Sequence, residues 1–293
     1  MNESKQNVSA SASGTIALGG QLTVNRLGYG AMRLTGDGIW GPPKDRQGAL
    51  RVLRRAVELG VNFIDTADSY GPFVNEEIIA EALAPYPKGL VVATKGGWER
   101  SGPNLWTHNA TPPHLRNAVE GSLKRLRVDR IDVYQLHVPD PLVSLDASLE
   151  TLADLQAKGK IRLLALSNVT REHIERARKI VPIASVQNRY SFADREWDYV
   201  VDYCAQHGIA FIPWFPLGGG KADEAAKAVA KAHGATPMQV ALAWLLQRSK
   251  IMLPIPGTSS VTHLEENLAA TGVQLTEREY RDLATVPELV ATR

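Results

Sequence analysis

Short apolar runs alternate with longer amphipathic stretches along most of the chain, and few folds accommodate that alternation. The runs at 62–65, 90–94, 131–136, 163–167, 185–187, 210–214 and 253–255 are rich in aliphatic or β-branched residues. Such runs suit strands buried on both faces, as in a parallel sheet. A further strand near 26–28 makes eight. Helical patterns lie between them. Residues 45–59 set Leu50, Leu53, Val57 and Leu59 along one face, and Gly60 ends the helix. Residues 112–126 open with two prolines after Thr111, as a capped first turn does. Other helices fit 145–158, 170–180, 196–207, 237–247 and 260–270. Eight strand–helix units in this order predict an α/β protein, a closed (β/α)8 TIM barrel. An open doubly wound sheet is the alternative.

Three segments fall outside the repeat. Residues 14–24 hold two short apolar runs around Gly19-Gly20, a hairpin signal, and are placed to plug the N-terminal mouth of a barrel. Residues 221–233 form an extra helix after the seventh strand, and 276–285 form another near the end. Residues 1–13 read as a disordered leader, leaving 14–293 as one barrel domain. At 293 residues, 44% of them hydrophobic, the chain has material for one large core. A net charge of +2 gives no reason to expect nucleic acid or a membrane surface as partner. The single cysteine, Cys204, excludes an internal disulfide framework and points to a reducing cytoplasm. The first residues lack the apolar stretch of a signal peptide, and no run approaches the ~20 apolar residues of a membrane helix.

Function in barrels collects in the loops at the C-terminal strand ends. Asp65 ends the run FID, Tyr70 follows in TADSYG, Lys95 ends VVATK and His137 ends VYQLH. Taken singly, each has a commoner use as a cap, a packing ring or a solvated end. Together they have a chemical logic. Delivering hydride to a carbonyl requires a proton donor for the developing alkoxide. A free tyrosine is a weak acid, with a pKa of about 10. A neighbouring lysine cation is expected to lower that value, Asp65 to keep the lysine charged, and His137 to orient the carbonyl oxygen.

In these residues the chain resembles the aldo-keto reductase superfamily. The likeness rests on Asp65-Thr66-Ala67 with Tyr70-Gly71, Thr94-Lys95, His137, Ser167-Asn168, Gln187-Asn188, Ile255-Pro256-Gly257-Thr258 and Glu266-Asn267, in order from about residue 20 onward. It implies a catalytic tetrad of Asp65, Tyr70, Lys95 and His137, and NADP(H) as cofactor with NAD(H) also possible. The segments at 41–46, 215–219, 234–249 and 255–267 resemble a bacterial subgroup that includes pyridoxal reductases, which implies pyridoxal as the leading specific substrate.

The chain carries no two-domain dinucleotide fingerprint: GYGAM at 28–32 lacks a third glycine. The resemblance instead places the cofactor against Gly30, Ala31 and Met32, with Ser167, Asn168 and Gln187 on the nicotinamide carboxamide. Trp214 or Phe215 would stack on the ring. Pro216, Leu217, Gly218 and Gly219, with Lys221, form one phosphate loop, and Ile255, Pro256, Gly257, Thr258 and Ser259 the other. Gln239, Glu266 and Asn267 fall near the adenine. Many relatives carry a basic residue in place of Gly257 and an arginine in place of His263, cations that grip the 2′-phosphate. Thr258, Ser259, Ser260, Lys221 and His263 are left to do that here. Trp40, Trp98 and Trp106 are expected to wall a substrate pocket for a flat aldehyde. No metal site is expected, and a metal-dependent hydrolase built on Asp65, Asp68 and His137 is the weaker rival. A non-catalytic NADP(H)-binding sensor is the other alternative. The near-neutral charge favours a monomer.

Overall fold

The computed structural model describes residues 8–216 and 221–285. A 3-10 turn, Ala10–Ser13, precedes a hairpin of β1 (Thr15–Leu18) and β2 (Leu22–Asn25). Next come β3 (Tyr29–Gly30), α1 (Arg46–Glu58), β4 (Phe63–Asp65), α2 (Val74–Leu83) and β5 (Val91–Gly96). A second hairpin, β6 (Trp98–Gly102) with β7 (Leu105–His108), leads to α3 (Pro112–Leu126) and β8 (Ile131–Leu136). The repeat continues through α4 (Leu145–Ala157), β9 (Ile161–Ser167), α5 (Arg171–Ala177), β10 (Ile183–Arg189), α6 (Asp198–His207) and β11 (Ala210–Trp214). Helices α7 (Lys221–His233), α8 (Pro237–Arg248), α9 (Val261–Ala269) and α10 (Glu277–Ala284) complete it.

Strands β3, β4, β5, β8, β9, β10 and β11 form one parallel sheet in that order. The sheet curls into a (β/α)8 barrel, and residues 251–255 close it. Phe211 N donates to Ile251 O at 2.8 Å, Leu253 N to Phe211 O at 2.9 Å and Gly28 N to Pro254 O at 2.9 Å. The expected eighth strand is therefore present only as a bridge, because Pro254 and Pro256 have no N–H to give a ladder. The first strand lies at Tyr29–Gly30 rather than 26–28. Arg26 is committed elsewhere: its backbone N donates to Gly14 O, and its guanidinium donates to Leu246 O, Ser249 O and Met252 O.

The interior of the barrel is apolar at its N-terminal end. Leu18 and Val24 of the first hairpin pack there against Phe63, Val91, Val133 and Leu163. The hairpin is thus the plug that its sequence suggests. Residues 8–13, expected as part of a disordered leader, include the ordered turn: Ala10 N donates to Leu59 O at 2.8 Å, and Ala10 is fully buried. Ala10 and the half-buried Val8 pack against the cluster around α1, and that hydrogen bond ties the segment to the end of the helix.

Two elements have no counterpart in the sequence reading. Helix α2 starts from Phe73, which takes a left-handed conformation (φ 71°) and makes no side-chain cap bond. Without a Ser, Thr, Asp or Asn at that place, the usual start signal is missing. The β6–β7 hairpin is polar on several positions and lies outside the barrel repeat, so no periodicity marks it. Among the described residues, no helix is long and apolar enough to cross a membrane.

Candidate active site

Successive barrel strands each deliver a polar side chain at the same end. Asp65 is the last residue of β4, Lys95 lies near the end of β5, and His137 follows β8. Tyr70 comes from the loop after β4. Gly71 (φ 100°) turns the chain there, and a Cβ on it would stand 2.7 Å from Val74 Cβ. That turn directs Tyr70 inward before α2 begins.

Lys95 Nζ is the hub. It donates to Asp65 Oδ2 at 2.6 Å, Thr66 O at 2.9 Å and the Tyr70 hydroxyl at 3.3 Å. Asp65 Oδ1 accepts from Gln135 Nε2 and Gln187 Nε2, both at 2.8 Å. The carboxylate is thereby fixed on both oxygens. His137 meets the Tyr70 ring edge-on at 5.9 Å, and its Nδ1 lies 3.5 Å from Ser69 Oγ.

Burial and charge set the protonation states. For Lys95, burial opposes the charge, but Asp65 and Tyr70 outweigh it and hold the pKa above its ordinary value. For His137, burial and then the Lys95 charge push the pKa well below the usual range, so the ring is neutral. Tyr70 departs from expectation. Burial raises its pKa, Lys95 pulls it down, Asp65 pushes it up again, and the net shift is upward. The lysine charge is shared with Asp65 and does not compensate for the water that the phenol has lost. Asp68 is buried nearby, and burial with the Glu76 charge lifts its carboxyl well above the usual range. Among the described residues no three His, Cys, Asp or Glu side chains converge as metal ligands. Asp65, the first member of the rival metal set, is already committed to Lys95.

The tetrad opens into a cavity of about 490 Å³. Gly30, Met32, Ser167, Asn168, Gln187, Trp214, Phe215, Pro216, Ile255 and Gly257 line it, as do Trp98 and Trp106. Trp40 does not; it stands beside Arg100, whose guanidinium carbon is 5.7 Å from its ring. Arg100 instead donates to Gly38 O, Ile39 O and Ser69 O, tying loop 38–40 to the β6–β7 hairpin and holding Trp40 aside. The hairpin presents Trp98 and Trp106 edge-to-face at 5.9 Å, each turned edge-on to His137.

The polar wall is also built. Asn168 (φ 56°) donates to His137 O at 3.0 Å and accepts from Trp214 Nε1 at 3.0 Å. Trp214 is therefore pinned, while Phe215 is 43% exposed. Ser167 Oγ accepts from Asn168 Nδ2 at 3.1 Å. A hydroxyl and two amides beside an indole face suit a flat ring bearing a carboxamide, so the donor set fits a nicotinamide.

The remaining assignments are spread over the rim. Gly30 and Gly257 lie back to back: a Cβ on Gly30 would meet Ile255 O at 2.6 Å, and one on Gly257 would meet Gly30 O at 2.6 Å. Their first role is this close backbone approach. Ala31 starts a 3-10 turn and accepts from Asn75 Nδ2, outside the cavity lining. Pro256 is buried, Thr258 Oγ1 caps Ser260 N, and Tyr29 donates to Thr258 O. Ser259 and His263 are exposed, and Asn267 is buried on α9. Gln239 Nε2 donates to the backbone O of Glu266 at 2.8 Å, which ties α8 to α9. Leu217, Gly218 and Gly219 lie outside the described residues, and Lys221 opens α7. Gln135, Arg33 and Ile39 belong to the site without having been singled out. Gln135 carried a signal, a polar residue inside a buried apolar run.

A buried phenol on a charged lysine, with a neutral imidazole beside it at the mouth of a (β/α)8 barrel, defines a proton-donating site for an oxygen-bearing substrate. The chain belongs to the aldo/keto reductase family, whose profile matches residues 26–288. It is 48% identical over 274 residues to a pyridoxine 4-dehydrogenase of Escherichia coli, covering 91% of this chain and 96% of that one. It is also 48% identical over 279 residues to an uncharacterized oxidoreductase of Schizosaccharomyces pombe, covering 94% and 90%. Among solved structures, a glycerol dehydrogenase of Gluconobacter oxydans superposes with a TM-score of 0.86 at 26% identity, covering 96% of this chain and 99% of that one. An aldo-keto reductase of Klebsiella pneumoniae in complex with NADPH gives a TM-score of 0.80 at 26% identity, covering 95% and 97%.

Proposed function

We propose that this protein reduces an aldehyde or ketone to the alcohol with NADP(H), accepting NAD(H) less well, and that pyridoxal is its leading specific substrate. The observation that carries the reading is the Tyr70 hydroxyl 3.3 Å from a buried, ion-paired Lys95 at the wall of the cavity. When bound, the nicotinamide supplies the hydride. Ser167, Asn168 and Gln187 would hold its carboxamide, and Trp214 would support its ring. Tyr70 keeps its proton in the resting protein and gives it to the carbonyl oxygen as charge develops there. The Lys95 ammonium then stabilises the phenolate, and Asp65, braced by Gln135 and Gln187, keeps that ammonium charged. Neutral His137 hydrogen-bonds the same oxygen and fixes its direction.

Trp98 and Trp106 favour a flat aromatic aldehyde, and the likeness to a pyridoxine 4-dehydrogenase supports pyridoxal as that aldehyde. The barrel, with the Ala10–Ser13 turn docked on it, acts as one domain, as a monomer, in the cytoplasm; the buried Cys204, its thiol pushed up to about 12 by burial, is inert there. Absorbance loss of NADPH on adding pyridoxal tests the reading, with the Tyr70→Phe variant alongside. The wild type should turn over and the variant should lose at least about 100-fold in kcat, the usual worth of a positioned acid. NADPH binding should survive in the variant. Full activity in Tyr70→Phe, or turnover much faster with NADH, would overturn the corresponding part.

A further inference from the structure

Among the described residues, Arg33 is the one lysine or arginine that lines the main cavity. It also lines an adjoining cavity of about 550 Å³, which it shares with Ser259 and Thr35. Arg33 is exposed and makes no ion pair or side-chain hydrogen bond among the described residues. An arginine in a folded protein commonly pairs with a carboxylate or carbonyl, and several others here do. Its location is specific. The point where a Cβ on Gly257 would stand lies 3.6 Å from Arg33 Cγ, while Gly30 O at 2.6 Å forbids that Cβ. The Arg33 stem therefore covers the side of Gly257 where this chain has no side chain.

We propose that Arg33 is the cation that grips a phosphate of the dinucleotide, reaching across from the turn after β3 to the space over Gly257. The inference rests on the nicotinamide-nucleotide reading above and names the residue that recognises the charged part of the cofactor. A guanidinium presents paired donors that match phosphate oxygens, and such charge-assisted bonds are among the stronger ones. Neighbouring Ser259 is exposed and adds a hydroxyl. His263, three residues into α9, is exposed as well, and its backbone N–H donates to Ser260 Oγ.

The test is a binding titration without substrate. NADPH and NADH are titrated separately into the full-length protein while the tryptophan fluorescence is followed, for the wild type, Arg33→Gln and Arg33→Lys. Losing one charge-assisted contact should raise Kd roughly 10- to 100-fold in Arg33→Gln, with Arg33→Lys recovering part of the loss. A loss confined to NADPH assigns Arg33 to the ribose phosphate, and an equal loss for both assigns it to the diphosphate. Unchanged Kd values for both nucleotides in Arg33→Gln would overturn the assignment while leaving the cofactor reading intact. A wild type that binds neither nucleotide would remove the cofactor reading, and the assignment with it. Arg33 is exposed and has no ion pair or side-chain hydrogen bond among the described residues, so the melting temperature of the free variants should match the wild type.

Discussion

On the proposed mechanism, Tyr70 and Lys95 divide the work of proton transfer in a way that their pKa shifts make testable. A proton donor works below its pKa. Burial places the Tyr70 value above the ordinary tyrosine value, so carbonyl reduction should be flat through neutral pH and decline only above about pH 10. His137 is depressed well below its ordinary value and should add no inflection near pH 6.5. Single-turnover reduction rates between pH 6 and 10 check both, and a limb centred near neutrality would contradict them. The lysine depends on its partner. Asp65→Asn keeps the shape but strands a buried cation, which should cost roughly 3–5 kcal/mol of stability in a denaturant titration. A loss under about 1 kcal/mol would show that the pair is not holding the site. Asp65, Lys95 and His137 are legible in the sequence because each breaks an apolar run at a strand end, and Gln135 breaks one too. Arg33 and Ile39 are not, since the turn at 31–33 and the loop after it bring them to the cavity without periodicity.

At the scale of elements, the first hairpin separates stability from chemistry. Leu18 is fully buried among residues near the starts of the barrel strands, such as Phe63 and Val91, whereas the tetrad sits at their ends. Leu18→Ala should therefore cost about 2–5 kcal/mol through the cavity left behind. It should leave kcat for the folded enzyme unchanged; a parallel fall in kcat at a temperature where the variant is fully folded would show that plug and site are coupled. This hairpin is legible because Gly19-Gly20 interrupts two apolar runs, and both glycines take positive φ. Helix α2 is harder to read. Its residues favour a helix, but it starts from Phe73 in a left-handed conformation, which follows the tight turn at Gly71 and which no local preference announces. The closing segment is difficult for the opposite reason. Leu253 and Ile255 read as a strand, while their proline neighbours remove the donors that would make one.

At the scale of the whole molecule, the cavity spans the line where the two ends of the barrel sheet meet. Gly30 comes from the first barrel strand, and Ile255 and Gly257 from the closing segment, more than two hundred residues later in the chain. Few hydrogen bonds hold that seam, chiefly Gly28 N to Pro254 O, Tyr29 to Thr258 O and the Arg26 contacts. A ligand spanning the seam binds only the closed barrel, so its binding energy adds to global stability by mass action. At a free concentration about 100 times Kd, NADPH should contribute about 2.7 kcal/mol. For a chain of this size that corresponds to a rise of roughly 4–5 °C in melting temperature. Thermal melts with and without NADPH measure it, and Arg33→Gln at the same nucleotide concentration should show a smaller rise. Equal rises in both proteins would mean that the nucleotide stabilises the seam without Arg33, and no rise in either would mean that it does not bind across the seam at all.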